Sequence, residues 1–257
     1  MSNSNTLRRV FSLIEDGDGA AIRELLAPEF RAIISGAPAM DANEWLGMFT
    51  LFQGAFSDAH FDIEETLEID DRVVLRGVFT GTHTGDLMGM PATGKVITGP
   101  FTNVDRFVDG KLVEHTSDDS GFMLALGAAV SEQNKAVVRR FITEVLQAGR
   151  LDLVDELVAP TYVNRTMGLD LPAFKGMLTA LADALPVRRF DIEELIAEAN
   201  AVVARFSWEA HDRNGGTISA RGLTYYRITD GKIAEDEPIT TPDLAQALAP
   251  LMAPASA

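Results

Sequence analysis

The sequence predicts an α+β protein built from two tandem copies of one small domain. Three observations carry that reading: segments that recur in the same order, a helical apolar periodicity opening each half, and strand-like sequence closing each half on an Asp-Gly turn. Ile22-Arg-Glu-Leu-Leu-Ala-Pro28 recurs as Val154-Asp-Glu-Leu-Val-Ala-Pro160, Phe61-Asp-Ile-Glu-Glu65 as Phe190-Asp-Ile-Glu-Glu194, and Arg106-Phe-Val-Asp-Gly-Lys111 as Arg227-Ile-Thr-Asp-Gly-Lys232. Ordered self-similarity at a near-constant spacing is the mark of a repeat. The spacing falls from 132 to 129 to 121 residues, so the second copy is shorter, mainly before its last hairpin. The expected domains are residues 1–128 and 131–257, with Gly127 to Asn134 as the linker.

Each copy opens on an amphipathic helix. Leu7, Val10, Phe11 and Ile14 in the first, and Val138, Phe141, Ile142 and Val145 in the second, keep the spacing of one buried helical face. A short second helix follows (Ile22, Leu25, Leu26; Val154, Leu157, Val158), expected to stop at Pro28 and Pro160. The third helix buries one stripe in both copies: Trp45, Phe49, Phe52, Phe56, and Phe174, Leu178, Leu181, Leu185. Segments rich in β-branched and aromatic residues then predict strands over 61–69, 73–83, 96–107 and 111–116, and their counterparts. Asp109-Gly110 and Asp230-Gly231 are the strongest hairpin signals, since a type I′ turn wants positive φ at both central residues. Helices first and antiparallel strands after give the α+β layout.

Composition excludes several function classes. Lys+Arg 22 against Asp+Glu 38 leaves a net charge of −16, which a phosphate backbone or an anionic membrane would repel. Nucleic acid and membrane are therefore not expected partners. With no cysteine there is no disulfide framework, thiolate nucleophile or Cys-held metal. The four histidines (60, 83, 115, 211) lack metal-ligand spacing, so no metal is expected, and no Gly-rich phosphate loop or nucleophile elbow marks a cofactor or an acyl enzyme. The polar start and the lack of a long apolar run make a cytoplasmic location the expectation.

The segment Gly81-Thr-His-Thr-Gly-Asp-Leu-Met-Gly-Met-Pro-Ala-Thr-Gly-Lys95, with Arg106-Phe-Val-Asp-Gly-Lys-Leu-Val-Glu-His115 and Leu124-Ala-Leu-Gly127, resembles the SnoaL-like polyketide cyclase (ester cyclase) family of the nuclear transport factor 2-like superfamily. The resemblance covers residues 5–128 and is weaker over 133–250, where His211-Asp-Arg-Asn-Gly-Gly216 replaces the longer motif. It implies two cone-shaped α+β barrel domains, each a curved mixed or antiparallel sheet with helices closing an apolar cavity. It also implies pairing through the outer sheet face: a pseudo-dimer within the chain, with a homodimer as a further option. The cyclases of the family use an Asp seven residues after the hairpin Gly as acid/base. Ser117 and Pro238 stand there instead. The Gln and His that assist it fall on Phe101 and Asn103, then on Gly222 and Thr224, so the resemblance does not carry the cyclase mechanism over.

Strand alternation places Phe101, Asn103 and Asp105 on one face and Val113, His115 and Ser117 on a facing side, which the family geometry makes the cavity side. A carboxylate beside an imidazole in an apolar site can serve as a general base. The expected catalytic set is Asp105, His115 and Asn103, with His83 and Asp118 as residues that could complete it. The bland alternatives are a satisfied core histidine, a loop-holding His83, and an Asp118 that caps the following short helix. Trp45, Phe49, Phe101, Met88, Met90 and Ser117 are expected to line the first cavity, and Tyr226, Asp236 and Trp208 the second, where Tyr226 and Asp236 together could polarise a carbonyl. Arg76 and Arg205, at matching positions, are expected to lay their stems on the sheet and meet glutamates.

Three functions stay open on this reading. One is a cofactor-free enzyme moving a proton on a small apolar carbonyl or polyketide-like compound, by cyclisation, isomerisation or hydration. Another is a non-catalytic protein that keeps the cone to bind a small apolar molecule or to act as a scaffold. The third is epoxide hydrolysis, for which Asp105 and Arg76 would supply part of an Asp–Arg–Asp set.

Overall fold

The structure, a computed structural model, describes residues 2–34, 37–213 and 215–242. The end of the expected second domain, 243–257, and Asn214 of the replaced motif lie outside them. The chain divides between Ala129 and Val130 into two compact units, and each unit is an α+β layer of helices on one curved mixed sheet.

In the first unit, α1 (Asn3–Asp16) starts where the Ser2 hydroxyl accepts from the Asn5 N–H and stops at Gly17, whose φ of 74° only glycine adopts cheaply. Its face Leu7, Val10, Phe11 and Ile14 is buried, as the spacing predicts. Next come α2 (Gly19–Leu25) and β1 (Leu26–Ile34). Then α3 (Ala42–Ala55) opens on a capping box between Asp41 and Glu44, followed by β2 (His60–Ile69), β3 (Arg72–Thr82), β4 (Val96–Val108) and β5 (Lys111–Asp118). The strand order is β1-β5-β4-β3-β2, antiparallel except for the parallel pair β1/β5. The Asp109-Gly110 turn has φ of 50° and 75°, the double positive φ that its sequence demands.

The strand that follows the second helix of each unit was not legible as such. The predicted second helix ends at Leu25 rather than at Pro28, and the chain passes straight into β1. Pro28 sits in the register shift between Leu26 and Arg31 on an edge strand, where its missing N–H breaks no ladder bond. The expected linker is likewise not a loop. Residues 127–134 lie within α4 (Ser120–Arg140), because Ala, Glu and Gln around Gly127 are good helix formers and one glycine costs only about 1 kcal/mol.

The second unit repeats the plan. π-helical turns over Phe141–Gln147 continue α4 and bury Phe141, Ile142 and Val145. A 3₁₀ turn at Leu151–Leu153 leads into α5 (Val154–Leu157), β6 (Val158–Asn164), β7 (Leu169–Asp170) and α6 (Leu171–Ala184). Then β8 (Val187–Glu198), β9 (Ala201–His211), β10 (Thr217–Thr229) and β11 (Lys232–Thr241) complete a sheet of order β7-β6-β11-β10-β9-β8. Small irregularities recur with the repeat. Bulges fall at Ile63/Glu65 and Ile192/Glu194, and again at Arg106/Phe107 and Arg227/Ile228. The Phe61 N–H donates to Glu15 Oε1 at 2.6 Å, and the Phe190 N–H donates to Gln147 Oε1 at 2.8 Å, so each first helix pins the same strand. The length lost in the second copy is located too: residues 83–95 join β3 to β4, whereas only 212–216 join β9 to β10.

Candidate active site

Each sheet and its helices form an apolar cavity. In the first unit it measures about 150 Å³ and is walled by α1 (Leu7, Phe11), α3 (Trp45, Phe49, Phe52) and the inward faces of the strands (Phe61, Phe79, Phe101). Packing makes this wall. Phe79 lies 5.0 to 5.4 Å from the rings of Phe52, Phe56, Phe61 and Phe122, most of them tilted or edge-on as ring quadrupoles prefer. Burying such a side chain contributes about 2 kcal/mol or more, so the wall stands without a ligand to shape it. Gly77 makes room for Phe101: the two face each other across β3 and β4, and a Cβ at Gly77 would lie 2.7 Å from the Phe101 ring.

Asn103, His115, Ser117 and Asp119 are the polar residues of this cavity. Direct cross-strand pairing sets Asn103 against Ser117 and Asp105 against His115. The His115 Nδ1 lies 2.7 Å from Asp105 Oδ1, both side chains buried. A carboxylate oxygen accepts, so Nδ1 is the donor of this bond, and in a neutral imidazole held this way Nε2 is the nitrogen with the lone pair. The Trp45 ring, 5.0 Å from the imidazole, fixes it from the helix side. Asp105 shares the inward face but is fully buried and does not line the cavity; it stands behind His115. The proton acceptor toward the cavity is therefore the imidazole, and Asp105 holds it. Asn103 Oδ1 and Trp45 Nε1, both of cavity-lining residues, are buried without a protein hydrogen-bond partner.

Three expected residues fall elsewhere. His83 is fully buried and stacked on Phe56 at 5.1 Å, with Nδ1 3.3 Å from Thr93 Oγ1, and burial pushes its pKa down. It is absent from the cavity wall and anchors loop 83–95: its carbonyl accepts the N–H groups of Thr93 and Gly94. Asp118 is exposed and accepts from the Ser120 N–H at 3.1 Å, because β5 turns it to the outer face. Its neighbour Asp119 lines the cavity instead, and burial pushes that carboxyl up, with Asp118 adding and His115 opposing. The count of two that leads from His115 to Ser117 leads on to Asp119, so the signal was there. Met90 does not reach the wall. Leu87 and Met88 do, from a tight turn in which Met88 and Gly89 have φ of 54° and 80°. Trp45, Phe49, Phe101, Met88 and Ser117 are placed as expected.

Arg76 points outward and meets Glu64 and Glu65 at 3.4 and 3.8 Å, as Arg205 meets Glu193 and Glu194 at 3.2 and 3.7 Å. Arg76 therefore cannot join Asp105 around a bound epoxide, and the Asp–Arg–Asp expectation fails on orientation.

The second cavity, about 100 Å³, is lined by Phe141, Phe174, Phe206, Trp208 and others, with Asn164, Arg188, Thr224, Tyr226, Asp236 and Thr240 as polar and ionisable groups. Tyr226, Asp236 and Trp208 are placed as expected, but the expected pairing is not. Asp236 Oδ1 accepts from Tyr162 Oη and Asn164 Nδ2, each at 2.7 Å, and both donors come from the unread strand β6. Tyr226 instead interacts with Thr224. Burial raises Asp236 to about 6 against the pull of those two bonds, and burial beside Asp236 pushes both tyrosines upward. Facing pairs are also inverted between copies: Gly77 with Phe101 in the first becomes Phe206 with Gly222 in the second, so each cavity keeps its phenyl wall from the opposite strand.

Fold and site define a class: small α+β cones whose apolar hollow carries a few polar groups from the closing hairpin. The chain belongs to the SnoaL-like family, as two domains in tandem. Residues 5–123 match the family described as SnoaL-like polyketide cyclase, and residues 138–236 match the SnoaL-like domain. Aklanonic acid methyl ester cyclase DnrD from Streptomyces peucetius is 39% identical over 67 residues, which is 26% of this chain and 46% of that protein. The chain thus spans less than half the length of that curated relative. Among solved structures, IdmH from Streptomyces antibioticus is 28% identical with a TM-score of 0.45, covering 49% of this chain and 99% of its own. TsrD from Streptomyces laurentii is 19% identical with a TM-score of 0.44, covering 49% and 94%. Among the described residues no helix is long and apolar enough to cross a membrane.

Proposed function

We propose that the first unit binds a small apolar carbonyl compound and moves a proton on it, with His115 as general base and Asp105 as the residue that positions it. The observation that carries this is the buried 2.7 Å contact from His115 Nδ1 to Asp105, which commits Nδ1 to the carboxylate and leaves Nε2 as the other nitrogen of a cavity-lining imidazole. Asp119, whose carboxyl burial pushes up, is the matching acid, and the unpartnered Asn103 and Trp45 groups are places for a ligand's polar atoms. A cavity of about 150 Å³ suits a single ring, since a hollow of that size holds benzene. Kinship with a methyl ester cyclase supports an apolar carbonyl substrate.

Exchange of the α-protons of cyclohexanone into D₂O, followed by NMR, tests the reading without fixing the final reaction. Exchange is expected to saturate with ketone, to fall to the buffer rate in His115→Gln, and to drop about a hundredfold in Asp105→Asn. Exchange no faster than with free imidazole, or unchanged in His115→Gln, would refute it. Ser117, where the cyclases carry their Asp, favours a second reading, a binding protein without turnover; cyclohexanone that perturbs Trp45 fluorescence but exchanges no protons would establish that one.

A further inference from the structure

We infer that the second cavity is a separate binding site for a small apolar carboxylate, with the Arg188 guanidinium as its counter-ion. Arg188 lies near the start of β8 and shares that strand's inward face with Phe190, in an apolar wall that also includes Phe206 and Trp208. The chain carries a surplus of carboxylates, and its other arginines commonly meet one: Arg140, Arg150, Arg165, Arg189 and Arg205 all do. No ion pair or hydrogen bond joins Arg188 to any described residue, and its Nε is buried without a partner. Arg188 is half-buried, and a guanidinium whose Nε is closed off without a partner or counter-charge is costly; an anion brought by a ligand removes that cost while forming a charge-assisted bond.

The wall around it suits the rest of such a molecule. Phe190 and Trp208 stack 5.9 Å apart at 14°, forming an aromatic wall beside the cation. Tyr226 and Asp236 lie on β10 and β11, across the sheet from the edge strand β8, and would take a hydroxyl or carbonyl at a ligand's far end. Among the described residues the wall of the first cavity holds no Arg or Lys: Ala59 stands at the position matching Arg188, and His115 and Asp119 are the ionisable groups there. The two hollows of one chain therefore sort ligands by charge, neutral in the first and anionic in the second.

The two tryptophans make this testable, because Trp45 lines the first cavity and Trp208 the second. In full-length Trp45→Phe protein, Trp208 emission is titrated with phenylacetate and with its neutral isostere phenylacetamide. Phenylacetate is expected to bind saturably and at least about tenfold more tightly than the amide. Arg188→Gln is expected to abolish that preference, and Arg188→Lys to restore part of it. Circular dichroism and the melting temperature verify that each variant folds. If Arg188→Gln fails to fold, the charge preference and its partial retention in Arg188→Lys decide. Equal affinity for acid and amide, no saturable change at millimolar phenylacetate, or an acid preference that survives Arg188→Gln would overturn the inference.

Discussion

Replacing Asp236 with Asn should stabilise the second unit at neutral pH and leave it unchanged in acid. Asp236 is 5% exposed, and burial raises its carboxyl from 3.8 to about 6 even though Tyr162 and Asn164 donate to it. A carboxyl raised in the folded state binds its proton more tightly there than in the unfolded chain. Between about pH 4 and pH 6 the native state thus holds more protons, and stability falls as pH rises through that window. The distance from 3.8 to about 6, at about 1.4 kcal/mol for each pKa unit, sets the loss at about 3 kcal/mol. Tyr162 and Tyr226, the titratable neighbours, are pushed upward and stay neutral throughout. Asparagine has no charge to desolvate, and its amide oxygen can accept the same two bonds, now 2.7 Å long. Urea unfolding in the Trp45→Phe background, read by Trp208, gives the difference between Asn and Asp at each pH. It is expected to be near zero below about pH 4 and to reach about 3 kcal/mol above about pH 6.5. Carboxylates held below their usual range, such as Asp58 bonded by Thr82, make the whole protein lose stability in acid, so the difference is the quantity to read. A difference that is flat with pH, or an Asn variant less stable at neutral pH, would refute the reasoning.

Other outcomes follow from single contacts. Tyr162→Phe removes one of the two donors that hold Asp236 down, so the Asp236 carboxyl should titrate above 6 when followed by carboxyl ¹³C shifts. Gly222→Ala would drive a Cβ into the Ile239 carbonyl oxygen, and Gly77→Ala would place one 2.5 Å from Asp62 O; each should cost about 1–3 kcal/mol in urea unfolding of its own unit. His83→Phe keeps the stack on Phe56 and lies outside the cavity wall, so cyclohexanone exchange should persist in it, in contrast to His115→Gln.

Much of the first site was legible because period-two alternation is local. Phe101 and Asn103 on one strand, with His115 and Ser117 on the next, share a face by counting alone, and the Asp109-Gly110 turn sets their register. Counting could not tell that Asp105 sits behind His115 rather than beside it in the cavity, since depth below a face is not periodic. His83 follows the loop-holding alternative rather than the catalytic one: the loop 83–95 folds back by its own backbone bonds and turns the ring into the core.

By itself the sequence determined the duplication, the order of helices and hairpins, and the faces they bury, all of which arise from contacts between residues near in sequence. Only the tertiary structure decided what depends on distant segments. The parallel strands β1 and β6 carry no turn to announce them, and their pairing with β5 and β11 brings Tyr162 and Asn164 onto Asp236 from more than 70 residues away. The exchange of Gly77/Phe101 for Phe206/Gly222 is likewise invisible to matching one position with one, because a cavity constrains the summed volume of facing side chains and not which strand supplies it. Arg188 stood beside Arg189 as one of two charged residues, and only the sheet separates them: Arg189 pairs with Asp191 outside, while Arg188 is left inside without an anion.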